Sequence, residues 1–195
     1  MAGPLAPRTG RLYVAAAALL WSTGGLAIKL VPLDALGVVF WRAALTVAFL
    51  VAVFRPSLER WKRASVATAV VYALMILTFV TATKWTTAAN AIFLQYTGPF
   101  YVLALGPWLL KEKFRKADAV AIAVALGGMS LFFVGKLEGG HLAGNLMGVV
   151  SGVFFGLTVL LLRRDQSRDA MSSVFLGNAI AGAVVRHVPP PGFRA

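Results

Sequence analysis

The sequence contains no cysteine. That excludes a disulfide framework, a thiolate nucleophile and a cysteine-ligated metal. Acidic residues are also scarce, with seven Asp and Glu against nineteen Lys and Arg. None of the seven falls inside a long apolar run. The two histidines, His141 and His187, lie at the edge of such a run and in the C-terminal tail. An intramembrane serine protease needs a histidine base beside its serine, and a zinc protease needs paired histidines such as HExxH. Neither pattern occurs, so no enzyme, metal or cofactor is expected. Proton coupling usually rests on an acidic or histidine side chain within the bilayer. Its lack favours facilitated diffusion or exchange.

Charged residues make up 13% of the chain, against about a quarter in soluble domains. Hydrophobic residues make up 59%, and they come in long blocks without alternation, the pattern of transmembrane helices. Seven blocks can be marked: residues 12–28, 35–54, 64–83, 88–110, 119–134, 142–162 and 171–185. Most approach the roughly 20 residues that cross a bilayer. The expectation is an all-α integral membrane protein of about seven transmembrane helices, with the lipid bilayer as its first partner.

The net charge of +12 could suggest nucleic acid, but its distribution points elsewhere. Arg8 and Arg11 precede the first block; Arg55, Arg60, Lys62 and Arg63 follow the second. Lys111, Lys113, Arg115 and Lys116 follow the fourth, and Arg163, Arg164 and Arg168 follow the sixth. Thirteen of nineteen basic residues therefore collect on one side. This positive-inside asymmetry puts the N-terminus, residues 1–11, in the cytoplasm of a cell whose inner membrane holds the protein. No nucleic-acid partner is expected. A cleaved signal peptide over residues 8–27 is disfavoured, because the run is long and Lys29 follows without a clear cleavage site. A receptor would place its N-terminus outside. A retinal protein would need a lysine in its last span, which has none.

The loops are short, and Trp61, Trp85 and Trp108 fall near span ends as interfacial anchors. A weak internal repeat lays "GRLYVAAAALLWSTGGLAIKL", from Gly10, on "GNLMGVVSGVFFGLTVLLLRR", from Gly144. Five spans separate the copies, so the second would be inverted, as in many secondary transporters. The organisation read from this is a five-helix repeat over 12–134 and an incomplete second repeat over 142–185. Residues 186–195, "RHVPPPGFRA", form an aberrant proline-rich tail of the kind a truncation or frame shift leaves.

Several segments together resemble the EamA-type family of the drug/metabolite transporter superfamily. "LLWSTGGLAIKL" resembles its first-span tryptophan and small-residue motif, and "FWRAAL" its second-span arginine segment. "TTAANAIFLQYTGPFYVLALGPWLLKEKF" is similar to its fourth span, with a mid-helix proline and a following glutamate, Glu112. "AVALGGMSLFFVG" is similar to its fifth. The resemblance implies two five-span halves and export or exchange of small metabolites by alternating access. An alternative is a truncated, non-transporting membrane subunit.

The candidate substrate-binding residues are Trp21, Ser22, Thr23, Arg42, Asn90 and Thr97. Trp21, Ser22 and Thr23 belong to "WSTGG", where small and polar residues interrupt the first span near its middle. Arg42 stands about six residues, or roughly 9 Å, below the outer end of the second span. Such a charge usually snorkels, binds carbonyls of a broken helix, or meets a substrate anion. In the last case its planar fork would orient a small-molecule metabolite, such as a carboxylate-bearing one, and Arg42→Ala would lower transport of such substrates. Asn90, Leu94, Thr97 and Tyr101 make a semi-polar stripe on the fourth span, with Gln95 on another face. Gly144, Gly148, Gly152 and Gly156 recur every fourth residue, a packing face for another span of the chain or for a second copy in a homo-oligomer.

Overall fold

A computed structural model describes residues 7–54, 65–111, 116–131, 142–164 and 169–186. Every regular element among them is helical: α1 (Pro7–Leu30), α2 (Ala35–Phe54), α3 (Val66–Trp85), α4 (Ala88–Gln95), α5 (Gly98–Leu110), α6 (Lys116–Leu131), α7 (Leu142–Arg164) and α8 (Ala170–Arg186). Among the described residues each of the seven apolar blocks forms helix, the fourth in two pieces. Among the described residues, α1, α2, α3 and α7 are individually long and apolar enough to cross a membrane.

Side chains just before the helices satisfy their first N–H groups. The Asp34 carboxylate accepts from Gly37 N at 3.0 Å at the start of α2. Ser65 Oγ accepts from Thr68 N at the start of α3, Thr87 Oγ1 from Asn90 N at the start of α4, and the Asp169 carboxylate from Met171 N at the start of α8.

The fourth block is the exception to a simple reading, because it forms two helices. Pro99 has no N–H to give to the Gln95 carbonyl one turn back, and its ring would clash there. The chain therefore stops α4 at Gln95, turns through Tyr96 and Thr97, and restarts with Pro99 in the first turn of α5. The proline expected in mid-helix stands at a helix start, where a missing N–H costs nothing. Thr97 ties the turn back on itself, its hydroxyl donating to Leu94 O at 2.6 Å.

At the centre lies α3, packed against α7, α8 and α2. Val39, Ala73, Ile76, Val80, Ala82 and Ala181 are buried where these helices meet, and Ala91 of α4 joins them. Lipid tails are as apolar as the helices, so close van der Waals contact must hold the bundle together. The glycine face of α7 shows how close that contact is. A Cβ on Gly144 would lie 2.6 Å from Trp85 C, one on Gly148 2.9 Å from Leu94 Cβ, and one on Gly156 2.8 Å from Gly98 O. The chain itself therefore occupies this face, with the α3–α4 turn, α4 and α5 against it. Of the two partners expected for this glycine face, another span of the chain or a second copy, the contacts seen here are with spans of the same chain.

Gly156→Ala should destabilise the protein by about 1–3 kcal/mol, because the added methyl meets backbone that cannot move away. Gly128→Ala, where nothing lies within 4 Å of the new methyl, should be neutral. Thermal unfolding in detergent, followed by circular dichroism, compares the two.

Candidate functional site

Where the fourth span breaks, α1, α3, α4 and α7 enclose a cavity of about 220 Å³, lined by Ala18, Gly25, Phe79, Ile92, Gln95, Tyr96 and Phe155. Irregular backbone at membrane depth is tolerated where protein covers it or a cavity borders it, and here α7 and this cavity flank the break. Ala18 and Tyr96 are exposed, while Gln95 and Phe79 are buried. No charged side chain belongs to the lining among the described residues.

The buried polar side chain among the described lining residues is Gln95, 7% exposed. Its Nε2 donates to Ser151 Oγ of α7 at 3.0 Å, and Ser151 Oγ reaches Met75 O of α3 at 3.5 Å. Three helices thus fix the amide in one orientation. One helical turn beyond Gly25, Lys29 ties α1 to the end of α3. Its Nζ donates to Thr83 O at 3.2 Å, Lys84 O at 3.3 Å and Thr86 O at 2.7 Å. These carbonyls lie at the C-terminal end of α3, where intrahelical donors have run out. Lys84 answers from the other side, its Nζ donating to Val31 O at 2.7 Å.

The sequence-derived candidates are dispersed. The side chains of Trp21 and Ser22 lie outside the described residues. Thr23 is exposed, its hydroxyl turned back on Leu20 O at 2.8 Å. Arg42 is exposed on α2, and among the described residues nothing bonds its guanidinium. Asn90 is buried, its Nδ2 donating to Thr86 Oγ1 at 3.2 Å, which in turn donates to Asn145 Oδ1 at 2.8 Å. Leu94, Thr97 and Tyr101 face Gly148, Gly152 and Gly156 of α7. None of Thr23, Arg42, Asn90 and Thr97 lines the cavity. Gln95, left on another face by the stripe, does line it.

The profile of the EamA-like transporter family matches residues 8–134, more than half of the chain. The chain belongs to this family. Two similar proteins, both named "Uncharacterized transporter", come from Helicobacter pylori. The relative from strain J99 / ATCC 700824 is 31% identical over 94 residues, 48% of this chain and 32% of that protein. The one from strain ATCC 700392 / 26695 is 29% identical over the same shares. The matched stretch spans about a third of the length of these curated relatives. No solved structure matches the chain significantly.

Within this EamA-like chain, Phe79, Tyr96 and Phe155 are the lining residues that sequence reasoning missed. Nothing marks them among thirteen phenylalanines and four tyrosines. Gln95 carried a signal, as an amide in a mostly apolar span. Asn90 acts as a tie between α4, the α3–α4 turn and α7. Asn90→Ala should lower stability by about 1–2 kcal/mol by leaving Thr86 short of a partner, without changing the cavity. Chemical unfolding in detergent measures the loss.

Proposed function

We propose that this multi-pass membrane protein carries small molecules across the inner membrane by alternating access, as an exporter or exchanger rather than an enzyme. The observation that carries this reading is the cavity at the broken fourth span. It holds one oriented amide within an apolar wall, at a depth where a bilayer would otherwise seal the chain. Membership of a transporter family supports it. A broken helix suits alternating access, because its two halves can tilt separately while the turn stays covered. Lys29 would act as a closure, since parting α1 from the α3–α4 turn breaks its three bonds to carbonyls. The N-terminus faces the cytoplasm in this reading, on the strength of the lysine and arginine distribution.

Two measurements test it. Proteoliposomes carrying the purified chain and loaded with a small-metabolite cell extract should release at least one component faster than protein-free vesicles, as read by mass spectrometry. Ala18→Phe, which fills the cavity, should suppress that release at least about ten-fold at equal reconstitution. An absence of release, or release indifferent to Ala18→Phe, would defeat the proposal. For orientation, the cysteine-free chain is a ready background for single cysteines. In intact cells, Pro32→Cys should react with a membrane-impermeant maleimide, and Thr9→Cys should react only after permeabilisation. The reverse pattern would turn the topology over.

A further inference from the structure

We infer that the cavity at the α4–α5 break selects a small, flat, uncharged molecule bearing an amide-like N–H donor. This rests on the cavity being the ligand position of the proposed carrier, and it narrows what that ligand is.

Size sets the first limit. A dry protein cavity of about 150 Å³ takes up benzene. By proportion, the 220 Å³ found here suits a ligand of roughly nine non-hydrogen atoms. Charge sets the second. A buried ion without a partner carries a desolvation penalty of several kcal/mol, and among the described residues the lining offers no charged partner. Arg42, the cation expected to meet a carboxylate, is exposed on α2 and is not part of the lining. The rings of Phe79, Tyr96 and Phe155 could favour a cation, but by only about 2 kcal/mol when desolvated. That is too little to offset the penalty.

Gln95 sets the third. Its side chain is more than nine-tenths buried, and one N–H is committed to Ser151. Its Oε1 and second N–H have no hydrogen-bond partner among the described residues. Yet Oε1 is no sealed orphan, since Thr68 Oγ1 is the fully buried polar side-chain atom left without a partner there. The amide therefore keeps its carbonyl oxygen as an accessible acceptor, while Ser151 holds it through the nitrogen. The complement of that acceptor is an N–H donor, as a neutral carboxamide carries. Around it the three aromatic rings favour a flat molecule through edge and stacking contacts.

Three probes of equal heavy-atom count and shape separate the possibilities: benzamide, benzoate and benzamidinium. Binding to the purified chain in detergent is followed by isothermal titration calorimetry. Benzamide should bind at least ten-fold more tightly than either ion. Gln95→Leu should weaken benzamide about ten-fold and leave toluene, which has no polar edge, within two-fold. Should Gln95→Leu not fold, Gln95→Met serves the same comparison, with toluene binding as proof that the cavity persists. Tightest binding of benzoate, lost in Arg42→Ala, would overturn the inference in favour of an anion site. Tightest binding of benzamidinium would overturn it in favour of a cation held by aromatic faces, and no binding of any probe would overturn it outright. Metabolite release from the same preparation keeps the two readings apart. If Ala18→Phe blocks release while benzamide does not bind, the ligand class falls and the carrier stands. If benzamide binds through Gln95 while release ignores Ala18→Phe, the carrier reading falls and a binding site remains.

Discussion

The structure depends on how an interrupted helix survives at membrane depth. Pro99 withholds the N–H that the Gln95 carbonyl would use, so the fourth span must break, and the broken backbone must be shielded from lipid. Thr97 satisfies part of the turn locally. The rest is covered by α7, whose glycines approach closely enough that a Cβ on Gly152 would lie 2.7 Å from Leu94 O. No other residue permits that distance. Proline and glycine, on different helices, are two halves of one arrangement.

The site follows from that contact. Once α7 is seated on the break, Ser151 stands within reach of Gln95, and Phe155 of the same helix joins the cavity wall. On the far side α1 brings Gly25 against Ile92, and Lys29 fastens α1 to carbonyls at the end of α3. The wall on that side is the lightly packed α1, mostly exposed. A cavity bounded by one firm contact and one lighter one can change access without dismantling the core around α3. That is the physical basis for reading it as a carrier's binding position. Among the described residues its lining carries no charged side chain, and Arg42 stands exposed on α2 away from it.

The fold was largely legible before any coordinates. Apolar blocks long enough to span a bilayer leave few options other than helices, because backbone groups in lipid must be satisfied within the segment. The glycine face on α7 was legible as packing, since only close approach requires such spacing. Its partner was not, because a sequence cannot say which helix arrives. The stripe of Asn90, Leu94, Thr97 and Tyr101 assumed a continuous helix. With a break after Gln95, that stripe turns towards α7 and Gln95 turns into the cavity.

By itself the sequence determined that this chain is a helical membrane protein with an EamA-like pattern and a strong charge asymmetry. These follow from composition and order along the chain. Only the tertiary structure decided which polar side chains act as ties and which one keeps unspent hydrogen-bonding capacity. That depends on where separate helices meet, and Gln95, Ser151 and Met75, far apart in sequence, meet because a glycine face fits a proline break.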